Sequence, residues 1–162
     1  WAEGSSGKTV YTSASKRYFE ISKTYLEMSM PEIKKGQISP YDSLFKKFAP
    51  GIGWDWKLIA SIAFQESRFN PSLTSWAGAK GIMGIMPRTG RAFGASIEEL
   101  PIPEVSVDVG VKCLKAFNKG LSAITDPEEK IKFTLASYNA GIGHIYDAQR
   151  LAEKYGKNPH VW

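Results

Sequence analysis

Cysteine is nearly missing from this chain: Cys113 is the one thiol in 162 residues. A lone cysteine excludes an internal disulfide and a cysteine-based zinc site, and it leaves the compartment open. It falls in the apolar run Val109-Gly-Val-Lys-Cys-Leu, which predicts a buried, inert thiol rather than a nucleophile. Long apolar runs are missing too, and none approaches the ~20 residues that a membrane span needs. No N-terminal leader is present, and the abrupt limits at Trp1 and Trp162 predict a fragment or a processed form. Histidine occurs twice, as His144 and His160, which read as surface or packing residues. With no His or Cys cluster, neither a metal nor a cofactor is expected. A dense basic block is absent as well. The net charge of +5 is spread in short pairs such as Lys34-Lys35 and Lys46-Lys47. That pattern argues against a nucleic-acid partner. A soluble surface rich in lysine and attraction to some other anionic polymer both fit it.

Strand signals are scarce, and no two-residue hairpin turn separates alternating segments. The periodicity present is helical. A hydrophobic content of 43% is enough for a core, and the length suits one domain. Residues 1–13 read as a loose Gly/Ser/Thr-rich lead-in. Tyr18, Ile21, Tyr25 and Met28 then mark a helix face, closed by Pro31 and Gly36. Further helices are predicted over 40–48, from Asp55 to Asn70-Pro71, from Pro87, over 105–118, from Asp126, and over 144–155. Asp126-Pro-Glu-Glu129 combines an N-cap, a first-position proline and a capping-box carboxylate. Ile131, Leu135 and Tyr138 form that helix's stripe, and Gly141 its stop. The fold class is all-α, with a glycine-rich loop over 71–94 in its middle.

One carboxylate stands out. Ile59, Ile62, Ala63 and Glu66 share one helix face, and that face is apolar. Glu66 closes the stripe near the negative end of the helix dipole. Burial and dipole both raise a carboxyl pKa, as a general acid requires. A buried ion pair with Arg68 or a lysine, or a rotated helix with Glu66 in solvent, fits the periodicity equally well.

The neighbouring motifs carry a family resemblance. Ala63-Phe-Gln-Glu-Ser-Arg-Phe-Asn-Pro71 resembles the catalytic-glutamate motif of the soluble lytic transglycosylase family, Glu-Ser followed by Asn-Pro. Ser75-Trp-Ala-Gly-Ala-Lys-Gly-Ile-Met-Gly-Ile-Met-Pro87 is similar to its second motif, Gly-Leu-Met-Gln-Ile-Met-Pro. Ala136-Ser-Tyr-Asn-Ala-Gly141 is similar to its third, Ala-Tyr-Asn-Ala-Gly. The order and distances suit the family. The tail 143–159 and the segment 41–48 resemble the membrane-bound lytic transglycosylase F branch. The resemblance covers 39–162 and leaves 1–38 as a lead-in and helix packing on that domain.

The resemblance implies a lysozyme-like helical domain. The implied reaction is non-hydrolytic cleavage between N-acetylmuramic acid and N-acetylglucosamine in peptidoglycan, leaving a 1,6-anhydromuramyl end. It implies Glu66 as acid and then base, and Ser67 orienting Glu66 or substrate. Met83 and Gly84 would line the sugar groove, and Tyr138 and Asn139 would contact substrate. The implied setting is the bacterial cell envelope, on the periplasmic side and associated with the outer membrane in the full-length protein. The implied molecule is a monomer with a periplasmic binding-protein-like domain upstream. Two departures stand out. Gly84 replaces the family's glutamine, which removes a side-chain hydrogen bond to sugar. Branch members also continue past Trp162 into a helical segment that carries a tyrosine near the active site. A goose-type lysozyme-like hydrolase and a weakly active binding module are the rival readings. Glu98, Glu99 and Glu104 read as surface or capping residues, and Trp54 and Trp56 as core. Trp76 is open between packing and sugar stacking.

Overall fold

The structure is a computed structural model that describes residues 35–162, and residues 32–162 group as one compact unit. The lead-in and the helix expected over 14–30 lie outside the described residues. Among those residues the fold is helical, and the only β pairing is two isolated bridges, Thr74 to Lys80 and Lys80 to Ile85.

Helix α1 spans Asp42–Phe48, starting two residues later than the sequence suggests. The Asp42 carboxylate is buried and accepts from Ser39 N–H at 2.8 Å and from the Ser39 hydroxyl at 2.6 Å, so Pro40 and Tyr41 form the entry turn. A 3-10 turn, Ala49–Gly51, leads to α2, Trp56–Ser67, whose first turn is capped by Asp55 accepting from Lys57 N–H at 2.9 Å. Asn70-Pro71 does not end this helix. Arg68 and Phe69 both take left-handed backbone, with φ of 54° and 63°, and stop it at Ser67. Each such residue costs roughly 1–2 kcal/mol. Burial of Phe69, whose ring centroid lies 5.5 Å from that of Phe64 and 6.2 Å from that of Phe45, offsets the strain.

Short α3, Pro87–Ala92, follows the glycine-rich loop. Helix α4, Pro103–Gly120, runs two residues beyond its predicted limits at each end, with Pro103 in the first position. Its inward residues are Ser106, Val107, Val109, Gly110, Val111, Cys113 and Leu114. Beside the valine and leucine stripe lies a second stripe of small residues at helical spacing, Ser106, Gly110 and Cys113. A Cβ on Gly110 would stand 2.8 Å from Met83 Cε, so the central loop packs directly against α4.

Helices α5, Pro127–Ala140, and α6, Ile142–Lys154, form a hairpin around Gly141. Asp126 caps Glu128 and Glu129 N–H, both at 2.9 Å. Glu129 does not complete a capping box: it pairs with Lys132 at 2.6 Å and accepts from Trp162 N–H at 2.5 Å. The fully buried face of α5 is Phe133, Thr134 and Ser137. The predicted stripe of Ile131, Leu135 and Tyr138 is turned partly outward and is only half-buried. The larger core gathers α1, α2, α4 and residues Ile82, Met83 and Ile85 of the loop, and a smaller one joins Leu121, Ile124, Phe133 and Ile145. Trp54 and Trp56 pack against the larger core, and Cys113 is buried, with its thiol pushed up to about 11 by burial.

Candidate active site

Ile59, Ile62 and Ala63 are buried, so the apolar face of α2 does point inward. Glu66 emerges where that face reaches a cleft of about 230 Å³. Leu58, Ser61, Ile62, Gln65 and Glu66 of α2 form one wall, and Leu135, Tyr138 and Asn139 of α5 the other. Two residues of the half-buried α5 stripe, Leu135 and Tyr138, are therefore cleft wall, and Ile131 is not among the lining. Among the described residues that line the cleft, Glu66 is the single carboxylate. It is half-buried, and burial raises its pKa above the ordinary 4.5. Arg68, one partner considered for it, lays its guanidinium over the Phe64 ring at 4.2 Å.

The loop Gly81–Ile85 passes beside Glu66. Gly84 has φ of +61°, and a Cβ there would lie 2.5 Å from Glu66 Oε2. The carboxylate thus rests against bare backbone, which only glycine permits. Hydroxyls from neighbouring helices fasten the loop. Ser67 donates to the Ile82 carbonyl at 2.9 Å and to Ala63 at 3.1 Å. Tyr138 donates to the Met83 carbonyl at 2.7 Å. Ser106 accepts from Met83 N–H at 3.1 Å. Burial first, then the nearby Cys113 and Glu66, hold the Tyr138 hydroxyl well above its usual pKa, so it stays a neutral donor.

Glu66, Gly84, Tyr138 and Asn139 come together at the cleft. Two expected substrate contacts do not. Ser67 and Met83 are 0% exposed, so neither side chain reaches a sugar. Ser67 anchors the loop, and Met83 fills the space over Gly110. Trp76 is 81% exposed on the loop. Glu104 pairs with Lys47 at 2.6 Å, and Glu99 accepts from Ser96 N–H at 2.8 Å, both at the surface. Ser106 was not singled out by the sequence. Its signal is the small-residue stripe Ser106, Gly110 and Cys113, one position behind the buried Val107, Val111 and Leu114 of α4. Among the described residues, no group of three or more His, Cys, Asp or Glu side chains could hold a metal.

One protonatable carboxyl in an apolar cleft, beside a neutral phenol, can give a proton to an ether oxygen and later recover one. Comparison with known proteins identifies the family. The profile of the transglycosylase SLT domain matches residues 43–161. The chain is 41% identical over 122 residues to a membrane-bound lytic murein transglycosylase F of Yersinia pestis, covering 75% of this chain and 24% of that protein. It is 33% identical over 144 residues to the same-named protein of Aeromonas salmonicida, covering 89% of this chain and 27% of that one. The chain therefore spans about a quarter of the length of these curated relatives. Among solved structures, the 70-kDa soluble lytic transglycosylase of Escherichia coli superposes with a TM-score of 0.54 at 32% identity, over 64% of this chain and 17% of that one. The same enzyme in complex with bulgecin A gives 0.55 at 31% identity, with the same coverage. The helical architecture is thus lysozyme-like, and the chain belongs to the transglycosylase SLT domain family.

Proposed function

We propose that this domain cleaves peptidoglycan glycan strands as a lytic transglycosylase, with Glu66 as the catalytic acid and base. The observation that carries the reading is the Glu66 carboxyl, held toward its protonated form in a cleft that, among the described residues, is lined by no second carboxylate. Glycosidases that hydrolyse commonly place two carboxylates around the bond. Here the second role falls to the substrate. Glu66 protonates the oxygen that links muramyl C1 to N-acetylglucosamine O4, and the C1–O4 bond breaks. The muramyl N-acetyl oxygen shares its electrons with C1 as positive charge develops. Glu66, now a carboxylate, takes the proton of the C6 hydroxyl, and O6 bonds to C1. The products are a free 4-hydroxyl and a 1,6-anhydromuramyl end, and no water is consumed.

Asn139, exposed beside Glu66, supplies amide hydrogen bonds to the strand, and the bare backbone at Gly84 lets a ring approach the carboxyl. Among the described residues no helix is long and apolar enough to cross a membrane. We place the domain on the periplasmic side of the envelope, as a monomer, in a longer protein with an upstream binding-protein-like domain. Digestion of purified peptidoglycan, read by mass spectrometry, tests the reaction. Anhydromuropeptides are expected. Reducing muramic ends, heavier by one water, would instead make the domain a hydrolase.

A further inference from the structure

The two peptide units that flank Met83 have every polar atom paired. In the first, the Ile82 carbonyl accepts from Ser67 at 2.9 Å and Met83 N–H donates to Ser106 at 3.1 Å. In the second, the Met83 carbonyl accepts from Tyr138 at 2.7 Å and Gly84 N–H donates to the Gly81 carbonyl at 3.1 Å. Tyr138 stands in the wall of the cleft, and Ser67, next to Glu66 in the chain, is buried beneath it. Ser106 stands behind the loop, on α4, with 0% exposure. It has little freedom there, because a Cβ on Gly81 would lie 2.7 Å from its hydroxyl oxygen.

We propose that Ser106 is a positioning residue for Glu66: by holding Met83 N–H it fixes the loop so that Gly84 presents bare backbone to the Glu66 carboxylate. The chain of contact is short. Ser106 sets the orientation of the 82–83 peptide, Met83 carries it to Gly84, and Gly84 lies where any added carbon would meet Oε2. Without the serine oxygen, a buried N–H has no acceptor, so the loop turns or admits water to satisfy it. Gly84 then moves, and the carboxyl loses both its rest and part of its shielding. Among the described residues, the titratable groups lining the cleft are Glu66 and Tyr138, and residues 81–85 carry none.

The proposal rests on Glu66 being the acid, and the experiment separates the two. Ser106→Ala is compared with the wild type in two ways: kcat and KM on peptidoglycan fragments, and titration of the Glu66 carboxyl by NMR with side-chain-labelled glutamate. Glu66→Gln identifies the signal. Loss of kcat by about tenfold or more is expected, with KM changed by less than about twofold. The Glu66 midpoint is expected to fall toward its ordinary value. A lower melting temperature with wild-type kcat and an unmoved midpoint would make Ser106 merely structural and overturn the proposal. Should Ser106→Ala not fold, Gly84→Ala decides. It pushes on Oε2 from the loop side, and an unmoved Glu66 midpoint in that variant overturns the proposal as well. If the wild type cuts no peptidoglycan, the reading of Glu66 as acid fails, while the NMR titration still decides whether Ser106 positions it.

Discussion

Gly84 and Glu66 share one space: a Cβ at residue 84 would lie 2.5 Å from Glu66 Oε2 and 3.1 Å from its Cδ. The departure from the family's glutamine is therefore more than a lost hydrogen bond. The carboxyl leans where the first atoms of a side chain would be.

Restoring the family residue should hence impair the proposed activity. Gly84→Gln must strain a backbone at φ of +61° and displace the carboxyl. Displacement on the order of 1 Å costs about 100-fold in rate. A fall in kcat of that order is expected, measured by release of anhydromuropeptides. Activity equal to or above wild type would show that the carboxyl has room to spare.

Glu66→Gln removes the one carboxyl among the described lining residues and keeps its shape. Cleavage should drop by about 1,000-fold or more, the upper range for a general acid, with pelleting on insoluble peptidoglycan retained. A variant that still cuts would take Glu66 out of the mechanism.

The same substitution gives a stability test of definite sign. Burial raises the Glu66 pKa above 4.5, so the folded state holds its proton more tightly than the unfolded chain. Folding is not penalised below pH 4.5, and the penalty grows as pH rises from 4.5 through the folded-state value. Glu66→Gln should be more stable than wild type in denaturant titrations near neutrality, with the advantage shrinking when pH is lowered to about 4. The proposed mechanism needs the protonated acid, so the alkaline limb of kcat/KM is expected above 4.5, tracking the same group.

Tyr138→Phe keeps the ring and deletes the donor to the Met83 carbonyl at 2.7 Å. A buried acceptor left unpaired costs about 1–3 kcal/mol, visible as a lower denaturation midpoint. Activity should fall further than stability alone explains, because the loop under Glu66 loses a fastening. Wild-type kcat in this variant would confine Tyr138 to packing.

Cys113 is buried with its thiol pushed up to about 11, so the native protein should resist thiol reagents at pH 8 and react only in denaturant. Rapid labelling without denaturant would mean that α4 opens readily.

Much of the fold was legible because local signals were strong. Asp55 and Asp126 announced α2 and α5 through capping chemistry that the structure reproduces at 2.9 Å. The inward face of α2 followed from spacing alone, and Glu66 with it. Other features depend on tertiary packing. Phe69 takes left-handed backbone because its ring is held by Phe45 and Phe64, and no propensity for phenylalanine suggests that. Ser67 and Met83 sit inside recognisable motifs, and a motif marks a position without saying which way its side chain turns. Ser106 belongs to no motif and contributes through one oxygen. On α5, the apolar residues Ile131, Leu135 and Tyr138 suggested a core face, whereas the small and polar Thr134 and Ser137 are buried. A cleft wall is apolar too, as Leu135 and Tyr138 show, and periodicity does not distinguish it from a core.

The reversal at Arg68 and Phe69 also fixes where this chain tolerates changes in length. Phe69 is clamped just three residues beyond Glu66, so α2 is pinned at its far end as well as at the Asp55 cap. One residue inserted or deleted between those points would swing Glu66 by about 100° around the helix, out of the cleft. Past the clamp the next fixed register is that of residues 82–84, held by Ser67, Ser106 and Tyr138. Lengthening the exposed stretch around Trp76 would change what a long polymer meets on approach and leave the acid in its place.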